Sequence, residues 1–195
     1  MSKESLFLGA FLSDMLDRQR RAVINEAREV GSVSTNLTRE NLIIKLTHQF
    51  RLDPPILDES KISKNMVEET IDVRGTAHSF LYDQTHARVN VVKYRVPFTG
   101  ESIFFSLRPS TYSMAPPNAE VYESYFILSY PILGGKQPAD IKQEFDRDMD
   151  TIRVSLTRQH ADVKPFMDGL PSLIESELDK GNKNVIDKQK FLDDL

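Results

Sequence analysis

The order of apolar and polar positions gives the chain a sheet-like centre with helix-like arms. Residues Arg88-Val-Asn-Val-Val-Lys-Tyr-Arg-Val-Pro-Phe98 alternate, so that Val92, Tyr94, Val96 and Phe98 share one face. Ile103-Phe-Phe-Ser-Leu107 and Tyr125-Phe-Ile-Leu-Ser-Tyr130 are short apolar runs rich in β-branched and aromatic residues. Turn-forming stretches at 97–100, 108–112 and 115–118 separate the three runs. This punctuation predicts antiparallel strands between residues 85 and 135. Upstream, Glu68-Glu-Thr-Ile-Asp-Val73 reads as a strand ended by Gly75, or equally as the end of a helix that begins near Ser63. Residues 78–82 read as another short strand.

Three- and four-residue spacing governs both arms. Leu8, Phe11, Leu12, Met15, Leu16, Ala22, Val23 and Ala27 predict one long helix over residues 5–30, with Gly31 as a left-handed cap. Thr38 is placed to cap a second helix, with Glu40 in its first turn and Leu42, Ile43, Leu46 and Phe50 as its stripe. Pro54 and Pro55 stop it, because a proline ring offers no N–H to the ladder. After Gly134-Gly135, Pro138 suits a first helical turn, and Ile141, Phe145, Met149, Ile152, Leu156 and Val163 form one stripe. Pro165 is expected to kink or end that helix, Pro171 to start a further one, and Gly181-Asn182 to break it. Residues 185–195 then read as a final, mostly charged helix that stops without a capping signal, as at a cut.

The expected fold class is therefore α+β, an antiparallel sheet of about 4–6 strands packed against long N-terminal and C-terminal helices. Residues 1–52 are the helical segment, 53–135 the β-rich core and 136–195 the C-terminal helices, all in one domain truncated before a C-terminal effector domain. A length of 195 residues, 39% hydrophobic and 28% charged, allows such a core with a solvated surface. The net charge of −4 gives no global basic field to draw nucleic acid, although a local basic face is compatible with it. Cysteine is absent, which removes disulfides, thiolate metal sites and a cysteine nucleophile together. The run at 6–12 is seven residues long, followed by Asp14 and Asp17, so neither a signal peptide nor a membrane span is expected. The chain is expected in the cytoplasm.

Few residues carry chemistry. His48, His78, His86 and His160 lack helical metal-ligand spacing, and Asp83 with His86 reads as a polar turn. Asp140, Glu144 and Asp148 share a helix face and could chelate Mg²⁺, yet interleaved Lys136, Lys142, Arg147 and Arg153 favour a charge-laced solvent face. Asp140 with Asp162 and Lys164 imitates the spacing of a nuclease motif, but both pieces fall on one helical pattern, roughly 30 Å apart. No cofactor or catalytic residue is expected. Two clusters could bind partners. Arg108, Ser110, Thr111 and Tyr112 sit in a loop between strands, where binding groups tend to lie. Arg18, Arg20 and Arg21 could meet phosphates, although Asp14, Asp17, Glu26 and Glu29 dilute their field.

Several segments in order resemble a known group. They are Arg51-Leu-Asp-Pro-Pro-Ile-Leu-Asp-Glu59, Tyr94-Arg-Val-Pro-Phe-Thr-Gly100, Arg108-Pro-Ser-Thr-Tyr-Ser-Met-Ala-Pro-Pro117, Phe145-Asp-Arg-Asp-Met-Asp-Thr-Ile152 and Leu170-Pro-Ser-Leu173. From Arg51 onward the chain resembles the N-terminal region of uncharacterised bacterial proteins that carry a C-terminal restriction-endonuclease-like domain of the PD-(D/E)xK type. The resemblance implies a non-catalytic assembly or sensing module of a defence or restriction-type system, with a protein partner or self-association through its helices. The alternative is a nucleic-acid-binding module that targets the nuclease-like domain. In the first case apolar side chains are expected exposed at 6–16 or 141–163. In the second, Arg18, Arg20, Arg21, Arg108 and Lys93 are expected on one face.

Overall fold

The computed structural model describes residues 4–33, 36–74 and 85–193. In chain order they form β1 (Glu4–Ser5), α1 (Leu12–Gly31), α2 (Arg39–Gln49), β2 (Ile56–Leu57), β3 (Ser63–Asp72), β4 (His86–Thr99), β5 (Asn118–Val121), β6 (Tyr125–Pro131) and α3 (Pro138–Asp193). Two 3-10 turns, Glu59–Lys61 and Ser102–Phe105, join them. The α+β expectation holds, with an antiparallel sheet of six strands.

β4 is the sheet's centre. One of its edges takes β3, with Ser63 opposite Arg95 and Asp72 opposite His86, and then β2, with Ile56 opposite Thr99. The other edge takes β6, from Val91 opposite Pro131 to Pro97 opposite Tyr125. β5 and then β1 extend the sheet beyond β6. Residues 68–72 are thus strand rather than helix, as part of a β3 that begins at Ser63. Pro97 continues β4 instead of breaking it, and its carbonyl accepts from the Asp58 N–H at 2.9 Å. The expected strand at 78–82 lies outside the described residues.

The N-terminal helix is shorter than its periodicity predicts. Residues 6–11 give their backbone groups to the segment at 105–117. Leu6 N–H donates to the Pro117 carbonyl, Phe7 N–H to Phe105 at 2.7 Å, and Gly9 N–H to Ser106 at 2.8 Å. Phe7 adopts a left-handed φ of 57° there, while Leu6 and Phe7 bury among the sheet's aromatics. Cross-chain pairing wins over a local helical period. Ile103-Phe-Phe is likewise a 3-10 turn rather than a strand. Ser106 N–H donates to Ile103 and Leu107 N–H to Phe104, and the turn sends Phe104 and Phe105 into different cores.

α3 is a continuous helix of 56 residues through Pro165, Pro171 and Gly181, all three expected to interrupt it. Its first half, from Ile141 to Leu156, packs on Val96, Phe98, Phe126 and Leu128 of the sheet. Its second half, from Val163 to Leu178, packs on Leu12, Val23 and Ala27 of α1 and on Leu46 of α2. A proline costs on the order of 3 kcal/mol in a helix interior. Here Val163, Phe166, Leu170 and Ile174 are buried before, between and after the two prolines, and each buried side chain returns about 1.5–3 kcal/mol. Packing on both sides of each proline keeps the helix whole.

The glycines explain how closely α1 and α3 approach. A Cβ on Gly181 would lie 2.3 Å from the Arg28 carbonyl oxygen, and one on Gly31 would lie 2.4 Å from that of Leu178. Gly31 is therefore the last helical residue, needed for contact; Ser32, in a right-handed conformation, caps α1. Gly169, on the same α3, has nothing within 4 Å of its missing Cβ. Gly181→Ala is expected to cost about 1–3 kcal/mol by overpacking, while Gly169→Ala gains about 0.5–1 kcal/mol of helix propensity. Urea denaturation of the two variants checks this, and equal shifts would remove the close crossing.

Candidate interaction site

The loop after the 3-10 turn turns inward on its own framework. Arg108 donates from its Nη2 to the Leu8 carbonyl at 2.7 Å, and its guanidinium lies 4.8 Å from the ring centres of both Phe11 and Tyr112. Its backbone completes the grip, since the Arg108 N–H donates to Ala10 and its carbonyl accepts from Leu12. Ser110 donates from its N–H and its hydroxyl to the two oxygens of Asp162, both at 2.8 Å. Arg158 donates to the Thr111 carbonyl at 3.0 Å. The loop thus joins the N-terminal segment to α3. Arg108 uses a backbone carbonyl where a carboxylate partner would be the simpler expectation.

The other cluster stays on the surface. Arg18, Arg20 and Arg21 are exposed on α1, and the Nε–H groups of Arg18 and Arg21 donate to the carbonyls of Asp14 and Asp17. Lys93 lies on β4 and pairs with Glu69 at 2.6 Å. Arg108 and Lys93 are therefore engaged within the fold, and the exposed arginines of the five are those of α1.

α3 carries most of the charged groups considered for metal or nuclease chemistry. Asp140 accepts from the Gln137 N–H at 2.9 Å, so the helix start is capped by its own side chain. Glu144 pairs with Lys136 at 2.7 Å, and Asp148 accepts from the Tyr130 hydroxyl at 2.9 Å. Burial and that carboxylate push the Tyr130 phenol above its ordinary value, so it remains a donor. Arg153 grips Glu59 through two hydrogen bonds of 2.8 Å and reaches Asp150 as well. Asp162 holds Ser110, and Lys164 pairs with Asp168. His160 contacts the Pro55 carbonyl at 3.1 Å, and His86 contacts Thr85. Among the described residues, no three His, Asp or Glu side chains gather as metal ligands. His78 and Asp83 lie outside them.

The expected stretches expose only isolated apolar side chains, and a denser group lies further along α3. Within the two expected stretches Phe11 is 44% exposed and Val154 47%, but Leu6, Phe7 and Leu12 are buried, as are Ile141, Phe145, Met149, Ile152, Leu156 and Val163. On α3 beyond Gly181, however, Val185 is 42% exposed, Ile186 58%, Phe191 68% and Leu192 61%. Residues 182–193 make up roughly 18 Å of helix at ~1.5 Å per residue, past Gly181, the last buried position among the described residues. The signal was present in sequence as Val185 and Leu192, seven residues apart and so on one helix face. The many neighbouring charges masked it. No helix among the described residues is long and apolar enough to cross a membrane.

Compared with protein-family models, with curated proteins and with solved structures, the chain returns no match. A functional reading therefore rests on the chain's own geometry.

One ion cluster fixes the root of that projecting helix. Glu177 is buried, and it accepts from the Lys180 ammonium at 2.6 Å and the Arg28 Nε–H at 2.5 Å. Those two cations, Lys180 foremost, hold its carboxyl below the ordinary value of 4.5 against the opposing pull of burial. A depressed folded-state value stabilises the fold above the unfolded-state value and is lost as pH falls through the folded one. The stability gap between the wild-type chain and Glu177→Gln is thus expected to be full at pH 7 and to close below about pH 4.5. Urea midpoints across that range check it; a gap that widens in acid would reverse the assignment.

Proposed function

We propose that this chain is a non-catalytic assembly or sensing module that acts through protein–protein contacts of its helices. The observation that carries the reading is the apolar end of α3, with Val185, Ile186, Phe191 and Leu192 exposed together. Val185 and Leu192 share one helix face, with Ile186 and Phe191 on opposite flanks of it, and apolar surface left in water favours burial against a partner. The resemblance of residues 51 onward to N-terminal regions of bacterial nuclease-bearing proteins agrees with a role in assembling or controlling a following effector domain. A second helix of the same kind is the simplest complement, so self-association is the expected form.

Light scattering on the purified chain, at low and high salt and with and without DNA, tests the reading. A defined oligomer indifferent to DNA is expected, and Ile186→Glu with Phe191→Glu should convert it to a monomer of unchanged helix content. A monomer at every concentration would contradict it. A species that forms only with DNA at low salt, and is lost when Arg18, Arg20 and Arg21 become Ser, would replace it with nucleic-acid binding.

A further inference from the structure

α3 covers the inner face of the sheet incompletely, and the uncovered part has the chemistry of a ligand site. The even-numbered residues of β4 face α3. Val96 is 0% exposed and Phe98 4%, whereas Val92 and Tyr94 are only partly buried. The β3 neighbours of those two positions, Met66 opposite Val92 and Lys64 opposite Tyr94, continue the same face. Both are exposed, Met66 by 59%. A cleft of about 480 Å³ opens between β3, β4 and the first turns of α3. That volume lies within the range of roughly 300–1,000 Å³ typical of small-molecule sites. Its walls are Met66, Val92, Ile132 and Ile141 with the ring of Tyr94, which is held flat against Phe145 at 4.0 Å.

The charges at its mouth have one sign. Lys64, Lys136 and Lys142 line the cleft, and no carboxylate does. Lys136 is neutralised by Glu144 and Lys142 by Asp146, both outside the lining. Glu68, the next inward-facing residue along β3, pairs with Arg88 at 3.7 Å. Lys64 has no ion-pair partner among the described residues. The site thus combines an apolar trough with one uncompensated ammonium.

We propose that this cleft binds an aliphatic carboxylate, an amphiphile of the fatty-acid class, with its chain along Met66, Val92 and Ile141 and its carboxylate at Lys64. Two paired lysines beside one free lysine suit a single negative charge rather than a phosphate dianion. The site requires none of the helix contacts proposed above.

Isothermal titration with sodium dodecanoate, kept below micelle formation and at low salt, tests it on the whole chain. One carboxylate per chain is expected to bind saturably, with affinity rising about fourfold for each methylene added from octanoate upward. Lys64→Gln is expected to weaken it about five- to tenfold. Met66→Glu, which sets a carboxylate in the trough, should abolish it. Both positions are exposed, so both variants should fold, as circular dichroism can verify. Equal binding of dodecyltrimethylammonium, indifference to both substitutions, or heat without saturation would overturn the proposal. Binding to anionic phospholipid vesicles but not to free dodecanoate would also overturn it and assign the face to a membrane surface.

Discussion

A single helix forms one wall of two cores, and the side-chain amide of Gln159 marks where they meet. Gln159 is 0% exposed and donates to the carbonyls of Phe104 and Leu107 at 2.8 and 2.7 Å. Those carbonyls lie in and just after the 3-10 turn that sends Phe105 toward the sheet and Phe104 toward the helices. The Phe104 carbonyl also accepts from the Leu107 N–H, so it is the Leu107 carbonyl that loses its donor without that amide, at about 1–3 kcal/mol. The position falls between Leu156, the last α3 residue in the sheet core, and Val163, the first in the helical core. α3 therefore ties the sheet to α1 and α2 by hydrogen bonds as well as by packing.

The polar face of α3 extends the same logic outward. Arg153 binds the turn after β2 through Glu59, Asp162 and Arg158 hold the 108–112 loop, and Glu177 anchors α1 through Arg28. Arg39 on α2 reaches Asp179 at 2.7 Å. Asp162, which in sequence imitates a nuclease carboxylate, is engaged in holding a loop in place. Exposed pairs of this kind each contribute little, with a median of about 0–1 kcal/mol, so their effect is chiefly to fix where loops lie. The functional surface is then sought where such engagement ends, along residues 182–193 and in the cleft beside β3.

The pattern of residues made the central strands legible because Val92, Tyr94, Val96 and Phe98 alternate across a half-covered sheet, and Thr38 announced α2 by its cap, accepting from Asn41 N–H. β1, β2 and β5 are two to four residues long, too short for periodicity to register. Other failures have one cause: local signals were overruled by distant partners. Leu6 and Phe7 fit a helix until their N–H groups find Pro117 and Phe105. Pro165, Pro171 and Gly181 read as breaks until α1 and α2 supply the packing that spans them. The candidate site was legible as residue types but not as engagement. Nothing in Arg108-Pro-Ser-Thr-Tyr112 reveals that Asp162 lies 52 residues from Ser110 in sequence yet 2.8 Å away in space.

If α3 couples both cores, they must unfold together. The chain has no Trp, and four of its 6 Tyr, Tyr94, Tyr122, Tyr125 and Tyr130, lie in or beside the sheet, so intrinsic fluorescence is weighted to that half, while far-UV circular dichroism is dominated by the helices. Urea denaturation followed by both signals is the most direct measurement. Coincident transitions are expected, with both midpoints falling by the same amount in Gln159→Leu. Two separated transitions in the wild-type chain, the helical signal leaving first, would show that the cores are independent and contradict the account.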